Sequence, residues 1–198
     1  MTPTSQDVRR NRGVLLLIVA LFLGSMLLAG ILRFSGWRPA GTKNFGELLS
    51  PPGDLRAATP ALVEGGDYRW EPRARLWRIL VAPPAGCGDA CPRVAGQLDV
   101  VWQLMGKDAD HVHVLWLCAE DAHCEVPAPL GREPALRRLR ADDALRAALP
   151  RNDTDAAALR RGLPVYVIDP NGFVILRYAP GFDPAGLRAD LAKLTKLM

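Results

Sequence analysis

Apolar residues near the start of the chain follow no period. "GVLLLIVALFLGSMLLAGIL", from Gly13 to Leu32, runs about 20 residues without a charge, the length a helix needs to cross a hydrocarbon layer about 30 Å thick. A helix buried in a soluble domain is rarely apolar on every face. Arg9, Arg10 and Arg12 stand directly before the run, so the positive-inside rule predicts a cytoplasmic N-terminus and export of everything after Trp37, with Arg33 and Arg38 weighing slightly against it. A cleaved signal peptide is the competing reading; the run is too long for one and no small-x-small cleavage site follows.

Periodicity appears further on. "RLWRILVAP" (Arg75 to Pro83) and "HVHVLWLC" (His111 to Cys118) are β-branched and aromatic runs bounded by turn residues, which predicts strands. Between them Val94, Leu98, Val101 and Met105 recur at helical spacing up to Gly106. A strand, a helix and a strand of these lengths form a right-handed crossover with parallel strands. An arginine-rich helical stretch is predicted from about Pro134 to Leu149, then a helical turn capped by Asp153 or Thr154. "LPVYVIDPNGFVILRYAPG" reads as two strands about a "DPNG" turn, and the stripe Leu187, Leu191, Leu194, Leu197 as a terminal amphipathic helix. The order β-α-β-α-β-β-α specifies an α/β layered domain.

The expected organisation is a cytoplasmic segment (1–12), a single transmembrane anchor (13–34), a Gly/Pro-containing tether (35–66) with "FGELL" as a short docking turn at most, and a folded domain (67–198). Its 49% hydrophobic content suffices for one core. The net charge of +4 comes from arginines scattered among acids, not massed in a stripe with aromatics, so no nucleic-acid partner is expected.

The chemistry concentrates in "VAPPAGCGDACPRV". Cys87 and Cys91 lie where the first strand yields to the first helix. A helix beginning near Gly88 would set Cys87 at its N-terminal edge with Cys91 one turn later, within disulfide reach, and the unpaired N–H groups there would stabilise a thiolate. Three readings stay open: a redox pair, a structural staple, and a grip for Cu(I) by two soft sulfurs. A staple across so few residues removes little unfolded-state entropy. Cys118 and Cys124 are expected to form a second disulfide, with a second redox or metal site involving His123 as the lesser alternative. His111 and His113, two apart on a strand, would share a face that could clip a metal, but the expected reading is one exposed and one packed residue near a strand end. Asp169 and Asn171 are explained by turn chemistry, the arginines between Arg132 and Arg161 by a solvated helix face, and Trp70 and Trp77 by the core or rim of the sheet.

The Cys-x3-Cys-Pro motif after a strand (Cys87 to Pro92, with Asp89 inside it), a later X-Pro before a strand, and "YVIDPNGFVILRY" together resemble the thioredoxin-like fold, a mixed sheet flanked by helices, and specifically the Sco/SenC group of cytochrome oxidase assembly proteins. The "NFGELLSPP" segment from Asn44 to Pro52 and the anchor are similar to a proteobacterial branch of small anchored proteins of that kind. The resemblance implies single-pass anchoring in a bacterial inner membrane, a periplasmic C-terminal domain, and a role in maturing the copper centre of a haem-copper oxidase, with a respiratory oxidase subunit or other thiol protein as partner. It also implies that Pro164 matches the cis-proline facing the active-site cysteines of thioredoxins. The group's distal copper-binding histidine stands about eight residues before the Asp-Pro-x-Gly turn; counting back from Asp169 lands near Arg161. Two thiolates alone suit Cu(I) and match Cu(II) poorly. The leading expectation is therefore thiol-disulfide chemistry by Cys87 and Cys91 with no required cofactor, the alternatives being a Cu(I) metallochaperone using those two cysteines and an assembly scaffold with structural disulfides.

Overall fold

A computed structural model describes residues 5–35, 43–122, 124–152 and 154–197. The chain divides into two compact units, residues 1–42 and 43–198. The first is one helix, α1 (Ser5–Phe34), whose span Asn11–Phe34 is long and apolar enough to cross a membrane once. Its 24 residues rise about 36 Å. Trp37, Arg38, His123 and Asp153, each given a part by the sequence reading, lie outside the described residues.

The second unit is built on a six-stranded sheet: β1 (Glu47–Asp54), β2 (Trp77–Val81), β3 (Val112–Leu117), β4 (Leu136–Leu139), β5 (Val165–Ile168) and β6 (Phe173–Tyr178). Spatial order is β1-β6-β5-β2-β3-β4. The inner strands β5, β2 and β3 are almost wholly buried, and continuous apolar runs such as "ILV" and "VYVI" are what strands covered on both faces require. β2, β3 and β4 run parallel, while β5 and β6 form the antiparallel hairpin. The Asp169 carboxylate closes that hairpin by accepting from Asn171 N at 2.9 Å and Phe173 N at 2.8 Å, and Gly172 takes the positive φ of +98° that the turn needs.

Helix α2 (Ala90–Gln103) packs Val94, Leu98 and Val101 on one face of the sheet beside α5 (Pro184–Leu194), whose Leu187 and Leu191 are fully buried. On that side too lies α4 (Ala156–Arg161), whose Leu159 packs against the same core. The opposite face is covered by α3 (Asp143–Ala148), with Leu145 and Leu149, and by Leu55 and Tyr68. Arg78 of β2 is fully buried there: its guanidinium donates to Leu76 O, Asp169 O and the Tyr68 hydroxyl, and lies over the Tyr68 and Trp70 rings.

Three expectations are corrected. Residues 47–54, assigned to the tether by their Gly/Pro content, form edge strand β1, paired with β6 at Glu47–Arg177 and Asp54–Phe173. Its entry is fixed by the buried Asp190 carboxylate, which accepts from Phe45 N at 2.7 Å, Gly46 N at 3.0 Å, the Tyr178 hydroxyl at 2.7 Å and Lys193 Nζ at 3.0 Å. Burial pushes that carboxyl up, but these four donors outweigh it and hold its pKa below the usual carboxylate range. Second, the helical stretch from Pro134 to Leu149 is β4 followed by α3, because Leu136 to Leu139 extend the parallel ladder beside β3. Third, the cap of α4 is Asp155, which accepts from Ala157 N and Ala158 N, in place of Thr154. The outer edge of β4 is in turn covered by the segment 61–63, through Val63 N to Arg138 O and Arg140 N to Ala61 O.

Candidate functional site

Parallel strands β2 and β3 leave the sheet side by side, with Val81 opposite Trp116. Chain continuing from these ends is where α/β sheets place their chemistry. From β2 the turn 82–86, with Gly86 at φ +69°, leads to Cys87; from β3 the next residue is Cys118. Helix α2 starts at Ala90, two residues later than the spacing predicts, so Cys87 precedes it and Cys91 sits in its first turn. Pro92 fits that turn because a first-turn N–H has no intrahelical partner to lose. Cys87 and Cys91 form a disulfide with α-carbons 5.7 Å apart; Cys91 is buried and Cys87 half-buried.

Cys118 and Cys124 form the second disulfide, α-carbons 5.2 Å apart, as expected. Both bridges line one cavity of about 210 Å3, walled also by Pro84, Trp116, Glu120 and Glu125. Beneath it lies a residue that sequence reasoning missed. Arg146, in α3, donates through Nη1 to Ala82 O at 2.8 Å and Pro83 O at 2.9 Å, and through Nη2 to Cys118 O at 2.9 Å and Leu117 O at 3.4 Å. The guanidinium thus ties together the two strand ends that carry the two cysteine pairs. Burial lowers its pKa from the ordinary arginine value. Its sequence signal is spacing alone: it stands three residues before Leu149, beside the buried face of α3.

Other sequence candidates fall elsewhere. Pro164 is buried and does not line the cavity, and its bond to Leu163 is trans, the cis bonds among the described residues being Ser50–Pro51 and Ala128–Pro129. It stands one residue before the Val165–Tyr178 pair, so its missing N–H costs the ladder nothing and a trans bond delivers the chain into β5. Arg161 is exposed at the end of α4, which is joined to α2 by Arg93 Nη1 donating to Arg160 O at 3.0 Å. His111 ends a 3-10 turn and is exposed, whereas His113 lies within β3, so the two do not form a clip. The Tyr68 hydroxyl accepts from Arg78 Nε at 3.0 Å and is hydrogen-bonded to His113 Nδ1 at 2.9 Å. Burial, then the charges of Arg137 and Arg78, push the His113 pKa down to about 4.

Copper would find two sulfurs at Cys87 and Cys91 once their bond is reduced. Among the described residues no group of three His, Cys, Asp or Glu side chains is gathered to hold a metal; the two sulfurs are soft donors of the kind that suits Cu(I).

A family model described as transmembrane-like, thioredoxin-like, C-terminal domain matches residues 77–198. No curated protein matches the chain. Among solved structures it is similar to yeast Sco1 with copper bound, at 17% identity and a TM-score of 0.50, over 80% of this chain and 96% of that one. It is likewise similar to apo Sco1 from Thermus thermophilus, at 19% identity and a TM-score of 0.51, over 81% and 100%. A third similar structure is BsSco, described as a member of the Sco family of cytochrome c oxidase assembly proteins with a disulfide switch, at 11% identity and a TM-score of 0.50, over 82% and 100%. At these identities the likeness is one of fold: the mixed sheet and flanking helices are thioredoxin-like.

Proposed function

This chain belongs to the transmembrane-like, thioredoxin-like C-terminal domain family, and from that premise we propose that it is a membrane-anchored thiol-disulfide protein serving assembly of a cytochrome c oxidase copper centre. Cys87 is the sulfur that meets the client and Cys91 the one that resolves the mixed disulfide. The observation that carries this reading is the asymmetry of the pair: Cys87 is half-buried at a cavity while Cys91 is buried in the first turn of α2. A client sulfur reaches the first and is kept from the second.

In the reducing direction the Cys87 thiolate attacks a client disulfide and one client thiolate leaves. Cys91 then attacks the Cys87 sulfur and the second client thiolate leaves, two electrons having passed to the client. The oxidising direction reverses the same steps. The client class, a cysteine pair on a respiratory oxidase subunit, and the placement of the domain on the periplasmic side of a bacterial inner membrane rest on the motif resemblance, on the arginines before the anchor, and on the description of BsSco as belonging to an oxidase assembly family. Yeast Sco1 holds copper, and the second reading, Cu(I) carriage by Cys87 and Cys91, draws on that fact and on two adjacent soft sulfurs.

The deciding measurement is the reduction potential of Cys87–Cys91 in the detergent-solubilised full-length chain, titrated with and without one equivalent of Cu(I). A reversible couple between about -270 and -180 mV that copper leaves in place supports thiol exchange. Tight capture of one Cu(I) by the reduced pair replaces it with carriage, and a pair that resists reduction and ignores copper reduces the site to a staple.

A further inference from the structure

We propose that Cys118–Cys124 is a second redox-active pair that exchanges electrons with Cys87–Cys91 inside the protein; the inference rests on the redox reading of the first pair. Four observations carry it. All four cysteines line the same cavity of about 210 Å3. They are brought there by adjacent parallel strands in register, Val81 beside Trp116, and so emerge at the same end of the sheet. Arg146 holds both exits at once, bonding Ala82 and Pro83 on one side and Leu117 and Cys118 on the other, so one guanidinium ties the two strand ends from which the pairs are carried. Finally, Cys118 is 1% and Cys124 9% exposed, which shields them from a bulky client, while half-buried Cys87 shares their cavity. A bridge across a separation of only 6 residues also constrains the unfolded chain less than one closing a long loop would.

The exchange conserves atoms and electrons. With the first pair reduced by a client or reductant dithiol, which becomes a disulfide, the Cys87 thiolate attacks one sulfur of Cys118–Cys124. That S–S bond breaks, the other sulfur leaves as a thiolate, and Cys87 is joined to the second pair. The Cys91 thiolate then attacks the Cys87 sulfur, restoring Cys87–Cys91 and freeing the second thiolate. Two electrons have moved from the first pair to the second, the two protons lost by Cys87 and Cys91 are taken up from solvent by Cys118 and Cys124, and no outside oxidant is consumed. The domain thereby stores one dithiol equivalent behind its client-facing pair.

The test uses the oxidised full-length chain in detergent micelles, treated with dithiothreitol, quenched with N-ethylmaleimide at intervals and mapped by peptide mass spectrometry. The proposal expects Cys118–Cys124 to be reduced at least tenfold faster in the wild type than in the double variant Cys87→Ser, Cys91→Ser. In Cys91→Ser alone, where Cys87 cannot be resolved, it expects a cross-linked peptide joining Cys87 to Cys118 or Cys124, with one free thiol at the other position. Equal rates, together with Cys87 recovered only as a free thiol beside an intact Cys118–Cys124 bridge, overturn the relay. If Cys87–Cys91 is still reduced readily in that case, the client-facing reading stands without it; if neither pair yields to dithiothreitol short of unfolding, both fall.

Discussion

Replacing Arg146 with methionine keeps the aliphatic bulk of the side chain and deletes the four donors that close the ends of β2 and β3. Three of the lost bonds are well formed, at 2.8 Å to Ala82 O, 2.9 Å to Pro83 O and 2.9 Å to Cys118 O, while the fourth at 3.4 Å is weak. A hydrogen bond from a charged donor contributes about 1.5–3 kcal/mol. Taking the lower end for a half-buried group gives about 4–5 kcal/mol for the three. Release of the guanidinium from a site whose burial lowers its pKa returns part of that, leaving a net loss of about 2–4 kcal/mol. For a folded unit of about 150 residues each kcal/mol moves Tm by about 2–4 °C, so the midpoint should fall by about 4–16 °C. Lysine, which can reach one or two of the carbonyls but cannot span both strands, should fall in between. Thermal unfolding of the full-length oxidised chain followed by circular dichroism is the assay. A Tm within 2 °C of wild type for Arg146→Met would refute the claim that this guanidinium holds the two strand ends.

Two further perturbations address other parts of the domain. Asp190→Ala leaves the Phe45 and Gly46 N–H groups and the Tyr178 hydroxyl without their acceptor, and should cost about 3–5 kcal/mol and speed tryptic cleavage after Lys43; unchanged cleavage and a Tm drop under 3 °C would dissociate Asp190 from the anchoring of β1. His113 makes stability depend on pH: above about 6.5 it is neutral folded or unfolded, but between 6.5 and about 4 the unfolded chain takes up a proton that the buried ring refuses. Stability should therefore decline as pH falls through that window and level off below it, by about 1–2 kcal/mol once a full-burial bound of about 3 is reduced for the part of the ring that water reaches. Denaturant titrations at stepped pH should show a shallower decline for His113→Gln than for wild type, and parallel curves would exclude the imidazole as the source.

The elements legible in the sequence were those whose burial is written into a period or a turn. The β2-α2-β3 crossover follows from Val94, Leu98 and Val101 between two apolar runs, and the hairpin from "DPNG". The two edge strands were not legible, for a physical reason. A strand paired on one side buries little, so β1 carries Ser50, Pro51, Pro52 and Gly53, and β4 carries Arg137 and Arg138, in patterns that local propensity assigns to a tether and a helix. Only their pairing with β6 and β3 decides. The same division runs through the site. Cys87 and Cys91 announce themselves by spacing after a strand, whereas the approach of Cys118 and Cys124 to the same cavity depends on which strand lies beside β2. Arg146 was hidden among arginines that do face water, since nothing local distinguishes a side chain that meets four carbonyls from one that meets solvent.

The coverage of both sheet edges bears on how any partner can be met. An unguarded edge invites a passing peptide to lie alongside it as an extra strand, and invites two copies to zip together. Here Pro51 and Pro52 offer no amide hydrogens along β1, and the 61–63 segment already occupies the rim of β4. Strand addition is thereby hindered at both flanks, and the mouth where β2 and β3 finish is left as the place where the side chains of Cys87, Glu120 and Glu125 meet solvent.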